Sequence, residues 1–463
     1  MRWCSKGFKA ACAILEELRL ETIVAIATGQ GGALGIVRVS GEQALPAADK
    51  IFNGRKPLEG ARGGSLHYGW IKDGDELLDE VVVSVYRAPH SYTGEDCVEI
   101  SCHNSPYVLQ RVLDLLLQEG CRMAQPGEFT KRAFLNGKKD LSQAEAVADL
   151  ICARSRAAHA IAMNQMCGNY SSLLRDLRDR LLRLTALLEL ELDFSDQEDA
   201  RFVNRDELLK QTTDVEECLQ KLADSFRAGS AIRNGIPVAI VGEPNVGKSM
   251  LLNRLLGDER AIVSPISGTT RDTIEDTIII RGLCFRFIDT AGLRETNDEI
   301  EKIGIERTLT KIKQASVVIW LTEATAPKPL PKQFAGYLTD KEVIEVANKI
   351  DLLTQDKREK DRLYISAKTG EGMPGLLNLL VERANIPELG SETTLVSSLR
   401  HHEAIMAALQ DARRVKQGLT AGIPSDLIAQ DLRACTTRLS EIIGEVTTET
   451  ILSAIFSHFC IGK

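Results

Sequence analysis

One stretch constrains this chain more than any other: Ile236–Gly257, IPVAIVGEPNVGKSMLLNRLLG. Its β-branched run Val238-Ala239-Ile240-Val241 reads as a buried strand. A turn bounded by Gly242 and Gly247 follows, then Lys248, Ser249 and an apolar-periodic segment that reads as a helix. G-x-x-x-x-G-K-S between a strand and a helix is the signature of a phosphate-binding loop. The glycines let the backbone curl until its N–H groups point at phosphate oxygens, and the helix start adds its dipole. Lys248 would reach the β- and γ-phosphates and Ser249 would ligate Mg²⁺. Asn245, Val246, Gly247 and Met250 complete the predicted cradle.

Further elements follow in order. Ser264-Pro265-Ile266-Ser267-Gly268-Thr269-Thr270-Arg271-Asp272 precedes a strand at Thr277–Ile280. Thr270 is the threonine read as closing over Mg²⁺ and the γ-phosphate. Phe285–Ile288 reads as a strand that runs into Asp289-Thr290-Ala291-Gly292. There Asp289 would hold a Mg²⁺ water and the Gly292 N–H would sense the γ-phosphate. Apolar strands at Val317–Leu321 and Val343–Ala347 come next, the second ending in Asn348-Lys349-Ile350-Asp351. An aspartate carboxylate there suits guanine, accepting from both N1–H and the exocyclic amine. Tyr364-Ile365-Ser366-Ala367-Lys368 ends a further strand, and Ser366, Ala367 and Lys368 would cap the base. Five such pieces in this order, four of them directly at a strand's carboxyl edge, predict an inserted Ras-like P-loop fold that binds GTP.

The catalytic part is less direct. Leu293 follows D-T-A-G, where Ras-type GTPases carry the glutamine that orients the attacking water, and a leucine cannot do this. Glu295, Asp298, Glu299 and Glu301 are the nearby carboxylates, and spacing alone leaves the choice open. Asn245 and the loop Ser264–Gly268 could together present oxygens to a monovalent cation, doing an arginine's electrostatic work.

Around this core the chain reads as multidomain, α/β and α. Its 463 residues suit about three domains. Residues 21–137 read as an α+β domain, 138–234 as the first part of a helical domain, 235–387 as the nucleotide domain and 388–463 as the second helical part. Gly229–Gly235 and Ile386–Ser391 read as the two linkers of the insertion. On composition, T-G-E-D at Thr93–Asp96 reads as a turn and K-R-A-F at Lys131–Phe134 as a solvated helix face. A net charge of −8 argues against a chain-wide grip on nucleic acid; Lys131, Arg132, Lys138 and Lys139 form the one candidate patch. Eleven scattered cysteines without C-x-x-C pairs read as reduced thiols in a cytoplasmic protein. No apolar run reaches the length of a membrane span. Met1–Leu20 reads as a helical extension.

Taken together the chain resembles the tRNA-modifying GTPase family MnmE, also called TrmE, from Glu21 to Lys463. The resemblance rests on Glu21–Gly41, on T-G-E-D, on P-G-E-F…R-A-F-L-N at Pro126–Asn136 and on P-N-x-G-K-S. It rests also on G-T-T-R-D, D-T-A-G-L-R and the terminal Cys460-Ile461-Gly462-Lys463. It implies a homodimer built by an N-terminal folate-type domain that binds 5-formyltetrahydrofolate, with contacts matching Arg38, Glu95, Arg132 and Lys463. It implies K⁺ ligands at Asn245, Ser264, Ile266 and Thr269, Mg²⁺ ligands at Ser249 and Thr270, and K⁺-dependent pairing of the GTPase domains. The water-positioning glutamate matches Glu301, and Cys460 is a candidate for chemistry near the folate. The implied partner is a flavoprotein, MnmG or GidA, acting with it on C5 of wobble uridine in tRNA. A ribosome-assembly GTPase of the Era or EngA kind is the alternative, but explains neither the N-terminal domain nor the C-I-G-K tail. The chain departs from the family pattern at the short loop Gly29-Gln30-Gly31-Gly32 and at His103-Asn104-Ser105-Pro106.

Overall fold

The computed structural model describes residues 21–29, 31–193, 205–258, 276–288, 309–353, 362–387, 394–457, 459 and 461–462. The chain divides into two compact units: Met1–Ala148 with Gln165–Asp179 and Thr436–Lys463, and Asp149–Asn164 with Arg180–Cys435. The strands are β1 (Ile23–Ile26), β2 (Leu34–Ser40), β3 (Phe52–Gly54), β4 (Ser65–Asp73), β5 (Glu76–Tyr86), β6 (Cys97–His103), β7 (Arg122–Met123), β8 (Ile236–Gly242), β9 (Asp276–Ile280), β10 (Leu283–Phe287), β11 (Val317–Glu323), β12 (Glu342–Asn348) and β13 (Leu363–Tyr364). The longer helices are α1 (Ala44–Ile51), α2 (Pro106–Gln118), α3 (Glu128–Leu135), α4 (Leu141–Cys152), α5 (Arg156–Met166), α6 (Asn169–Asp193), α7 (Arg205–Asn234), α8 (Lys248–Asp258), α9 (Met373–Arg383), α10 (Leu399–Ala421), α11 (Ser425–Ile443) and α12 (Glu449–Phe456).

In the first unit a seven-stranded sheet runs β3-β4-β5-β6-β2-β1-β7, and only the β1–β7 pair is parallel. Side chains alternate across a strand. Val37 and Val39 of β2 therefore enter the core with Val83, Val98, Ile100 and the buried sides of α1 and α2. Arg38, between them, falls on the opposite face. A smaller cluster of Ile23, Ala25, Ala124 and Phe129 covers part of that face.

In the second unit the sheet order is β13-β12-β11-β8-β10-β9, parallel throughout except for the β9–β10 pair. β8 and β11 are buried almost end to end, as strands covered on both faces must be. Chain order reverses at β8: the next strands lie to one side and all later ones to the other. The carboxyl end of β8 is thus a topological switch point, where open α/β sheets bind ligands. The Ras-like order expected from the motifs is the one observed.

Three expectations are corrected. Gly229–Gly235 is not a loose linker, because α7 runs unbroken to Asn234. A Cβ on Gly229 would lie 2.2 Å from the Val396 carbonyl oxygen, and the Val396 N–H donates to Ser225 Oγ at 3.0 Å. The glycine serves a close approach between the incoming helix and the returning chain. K-R-A-F is not a solvated face, since the α3 residues Glu128, Phe129, Thr130, Arg132 and Ala133 are all buried. The basic patch shrinks with it to Lys138 and Lys139: Lys131 pairs with Glu449 at 2.6 Å and Arg132 is inside, while Lys138 stays exposed and donates to the Pro89 carbonyl at 3.0 Å. Strand β4 went unread because its large apolar residues Leu66, Tyr68 and Trp70 point outward. Gly229→Val should cost roughly 1–3 kcal/mol through overpacking. The check is the urea midpoint of the second unit, and an unchanged midpoint would contradict the close approach.

Candidate functional site

At the carboxyl edge of the second sheet, three turns are held as one frame by side chains. Lys248 opens α8, and its ammonium donates to the carbonyls of Gly242 at 3.1 Å and Glu243 at 2.7 Å. Burial pushes this amine's pKa down, and the nearby charge of Lys311 adds to the effect. Asn245 sits in the left-handed backbone region at φ 62°, which asparagine tolerates better than most residues. Val246 is buried, Ser249 follows in the first turn of α8, and Met250 is exposed.

Asn348, 1 % exposed at the end of β12, is the link. Its amide nitrogen donates to the Val246 carbonyl at 2.9 Å, and its amide oxygen accepts from the Ala367 N–H at 2.9 Å. Both ends of the side chain are thus committed to backbone, one in the phosphate loop and one in the S-A-K turn. Ser366 Oγ donates to Asp351 Oδ1 at 2.7 Å, and this hydrogen bond holds the Asp351 carboxyl below the usual aspartate range. Ile350 N–H donates to the Ile365 carbonyl at 3.2 Å. Lys349 adopts a left-handed φ of 68° and places its ammonium 3.4 Å from Glu323. Lys368 follows, exposed. Ser264, Pro265, Ile266, Ser267, Gly268, Thr269, Thr270, Asp289, Thr290, Ala291, Gly292 and Glu301 lie outside the described residues.

The first unit carries a second polar constellation, on the Arg38 face. Register puts Arg38 opposite Glu99, and Arg38 Nε donates to Glu99 Oε1 at 2.8 Å. Arg38 Nη1 donates to the Gly462 carbonyl at 3.2 Å, and the guanidinium lies 5.3 Å from the Tyr92 ring centroid and 5.6 Å from that of Phe129. Glu95 accepts from Ser40 Oγ at 2.8 Å and from Arg132 at 3.2 Å. Arg132 is 2 % exposed and also donates to Glu128 at 3.1 Å; Glu128 in turn pairs with Arg122 at 2.7 Å. Burial pushes the Glu128 carboxyl up, but hydrogen bonds from Arg122 and the Gln125 N–H, with the charges of Arg132 and Arg122, outweigh it and hold the group below the usual range. T-G-E-D is therefore more than a turn: Thr93 is fully buried and Glu95 sits in the network. Of the residues matched to a folate site, Arg38, Glu95 and Arg132 share this face, while Lys463 and Cys460 lie outside the described residues.

Two family models match the chain: "MnmE helical domain" over residues 141–460 and "GTP-binding protein TrmE N-terminus" over residues 22–138. A protein of Bacteroides thetaiotaomicron named tRNA modification GTPase MnmE is 49% identical over 463 residues, covering 96% of this chain and 99% of the relative. One of the same name from Flavobacterium psychrophilum is 46% identical, with 96% and 99% covered. The chain belongs to the MnmE family of tRNA modification GTPases. The G domain of the T. maritima FeoB iron transporter aligns with 32% of the chain and 99% of its own at 26% identity and TM-score 0.24. That score is too low to weigh on the fold, which the strand order already defines. No helix among the described residues is long and apolar enough to cross a membrane.

Within this MnmE-type chain, sequence reasoning missed Glu99, Tyr92, Phe129 and Glu128. Glu99 was within reach, because period-2 alternation in β2 and β6 sets it across from Arg38. Glu128, four residues before Arg132 on one helix, was within reach too, whereas Tyr92 and Phe129 carried no signal for where they point.

Asn348→Ala would strand the Val246 carbonyl and the Ala367 N–H. Nucleotide affinity should fall on the order of tenfold or more, from about 1–3 kcal/mol of unpaired polar groups. Titration with a fluorescent guanine nucleotide checks this, and unchanged affinity would remove Asn348 from the frame. Glu128 contributes stability that is present above the ordinary glutamate range of about 4.3 and lost as pH falls through its lower folded value. Acid denaturation followed by circular dichroism should therefore be steeper for the wild type than for Glu128→Gln.

Proposed function

We propose that this chain hydrolyses GTP to drive, together with a flavoprotein of the MnmG or GidA kind, the addition of an aminomethyl or carboxymethylaminomethyl group to C5 of wobble uridine in certain tRNAs. The observation that carries the nucleotide reading is the frame around Asn348. It makes the phosphate loop and the Asp351 turn one rigid body, so base recognition and phosphate recognition report on the same molecule. Asp351, oriented by Ser366, would accept from the guanine N1–H and amine. Asn348 braces the two turns, and the second N–H of its amide nitrogen would donate to the base.

Ser249 and Thr270 would hold Mg²⁺, a hard cation served by hydroxyl oxygens. Bound there it would offset charge on the β- and γ-phosphates. Lys248 adds its own positive charge at the same place. Asn245, Ser264, Ile266 and Thr269 would hold K⁺, standing in for an arginine finger. Asp289, Thr290, Ala291 and Gly292 would read the γ-phosphate, and Glu301 would position the attacking water that Leu293 cannot.

We assign 5-formyltetrahydrofolate to the Arg38 face. Arg38, Glu95 and Lys463 would contact it, and Arg132, buried behind Glu95, would hold that carboxylate in place. Cys460 is the candidate for chemistry there. The exposed face of β4 and β5, with Leu66, Tyr68, Trp70 and Val82 on one side of the sheet, supports a homodimer that buries it. We read the domains as 21–137, 138–234, 235–387 and 388–463, and the location as cytoplasmic. With the basic patch reduced to Lys138 and Lys139, tRNA would be gripped largely through the flavoprotein.

Hydrolysis should be at least tenfold faster in KCl than in NaCl at equal ionic strength. Glu301→Ala should lower kcat by roughly 10²–10⁴ while leaving nucleotide affinity near wild type, as loss of a water-positioning group requires. Equal rates in the two salts would remove the cation, and a normal rate for Glu301→Ala would remove the glutamate.

A further inference from the structure

We propose that Gly462 is a positioning residue of the Arg38 face. Its docking against β1 hands a backbone carbonyl to Arg38, so the end of the chain and the ligand of that face bind in a linked way. The inference rests on the reading of the Arg38 face as the folate site.

Arg38 is tethered in two directions. Nε goes to Glu99 on the neighbouring strand at 2.8 Å, and Nη1 goes to the Gly462 carbonyl, 424 residues away in sequence, at 3.2 Å. A guanidinium is planar and presents its donors in a fixed fork. Two tethers at different corners therefore fix its plane, here beside the rings of Tyr92 and Phe129. Removing the Gly462 tether leaves the group free to turn about its Glu99 contact.

Only glycine fits where the tail arrives. Gly462 has φ +95°, and a Cβ there would lie 2.5 Å from the Ile26 carbonyl oxygen and 2.9 Å from Ala27 Cα. Both are backbone atoms of the β1 end, which cannot yield as a flexible side chain would. The direction of arrival is set upstream. Phe459 packs on Phe456 at 5.2 Å between ring centroids, in a cluster with Leu141, Ala144 and Leu452. Gly127 makes room for it, since a Cβ there would lie 2.8 Å from the Phe456 carbonyl oxygen. The tail is thus anchored at Phe459 and again at Gly462, and Arg38 belongs to the second anchor.

A ligand that engages Arg38 prefers the fixed guanidinium, so it must also favour the docked tail. Linkage is reciprocal: whatever factor the docked tail gives the ligand, the ligand gives the docked tail. Glu99 cannot replace the tail in this role, because it fixes one corner of the fork and not the plane.

The test uses full-length protein and two readouts: hydrogen exchange of the C-terminal peptide beyond Phe456, and the Kd for 5-formyltetrahydrofolate by calorimetry. In the wild type, saturating folate should slow tail exchange on the order of tenfold. In Gly462→Ala, tail exchange without ligand should rise on the order of tenfold, and Kd should weaken by a similar factor. Arg38→Lys, which leaves the Gly462 backbone unstrained but replaces the fork with a single ammonium, should loosen the tail likewise and keeps the proposal testable if Gly462→Ala fails to fold. Wild-type tail exchange in both variants, or a loosened tail with an unchanged Kd, overturns the proposal. Absence of folate binding by the wild type overturns the folate reading instead, and the ligand-free exchange of the two variants then still decides whether Gly462 and Arg38 hold the tail.

Discussion

The amide of Asn348 donates to the carbonyl of Val246 and accepts from the N–H of Ala367, and it does so while almost wholly buried. The loop that would cradle phosphates is a glycine-bounded turn, held within itself by Lys248 on the Gly242 and Glu243 carbonyls. The turn that would read the base ends a different strand. A buried side chain bonded to both makes their separation a constant, and a polar group buried without those bonds costs about 1–3 kcal/mol. Ser366 extends the same frame to Asp351. Nucleotide recognition by the two turns presupposes this frame.

The first unit solves a different problem. Arg38, Glu95, Glu99, Arg122, Glu128 and Arg132 carry three charges of each sign on and beneath one face of the sheet. Buried ion pairs are weak evidence for stability, since desolvation offsets much of their attraction. What such a network supplies is orientation: Arg132 fixes Glu95 from below, and Glu99 with Gly462 fixes Arg38. The pattern suits a site for a polar ligand that must be held in one pose.

Much of the second unit was legible in the sequence because its function and its fold impose the same residues. Gly242, Gly247 and Lys248 mark a strand end whether one reads chemistry or topology, and β8 and β11 are apolar runs because both faces are covered. Asp351 was read for its chemistry, while Asn348 was grouped with it and its bracing role lay in contacts 19 and 102 residues away. The first unit was harder. K-R-A-F carries two charges and looks solvated; Glu128 lies one helical turn before Arg132, but only the tertiary fold brings Glu95 to it. Gly229 looked like the start of a linker because glycine favours both flexibility and close approach, and sequence does not separate the two.

We propose that this GTP-binding frame serves tRNA wobble-uridine modification. The most direct test is mass spectrometry of nucleosides from total tRNA of cells lacking the protein, with restoration by the wild type and by Asn348→Ala. The C5-aminomethyl-type uridines should be lost, restored in full by the wild type and restored only in part by the variant. Unchanged levels of those nucleosides, in cells with no second copy of the gene, would contradict it and bring forward a GTPase that acts on ribosome assembly.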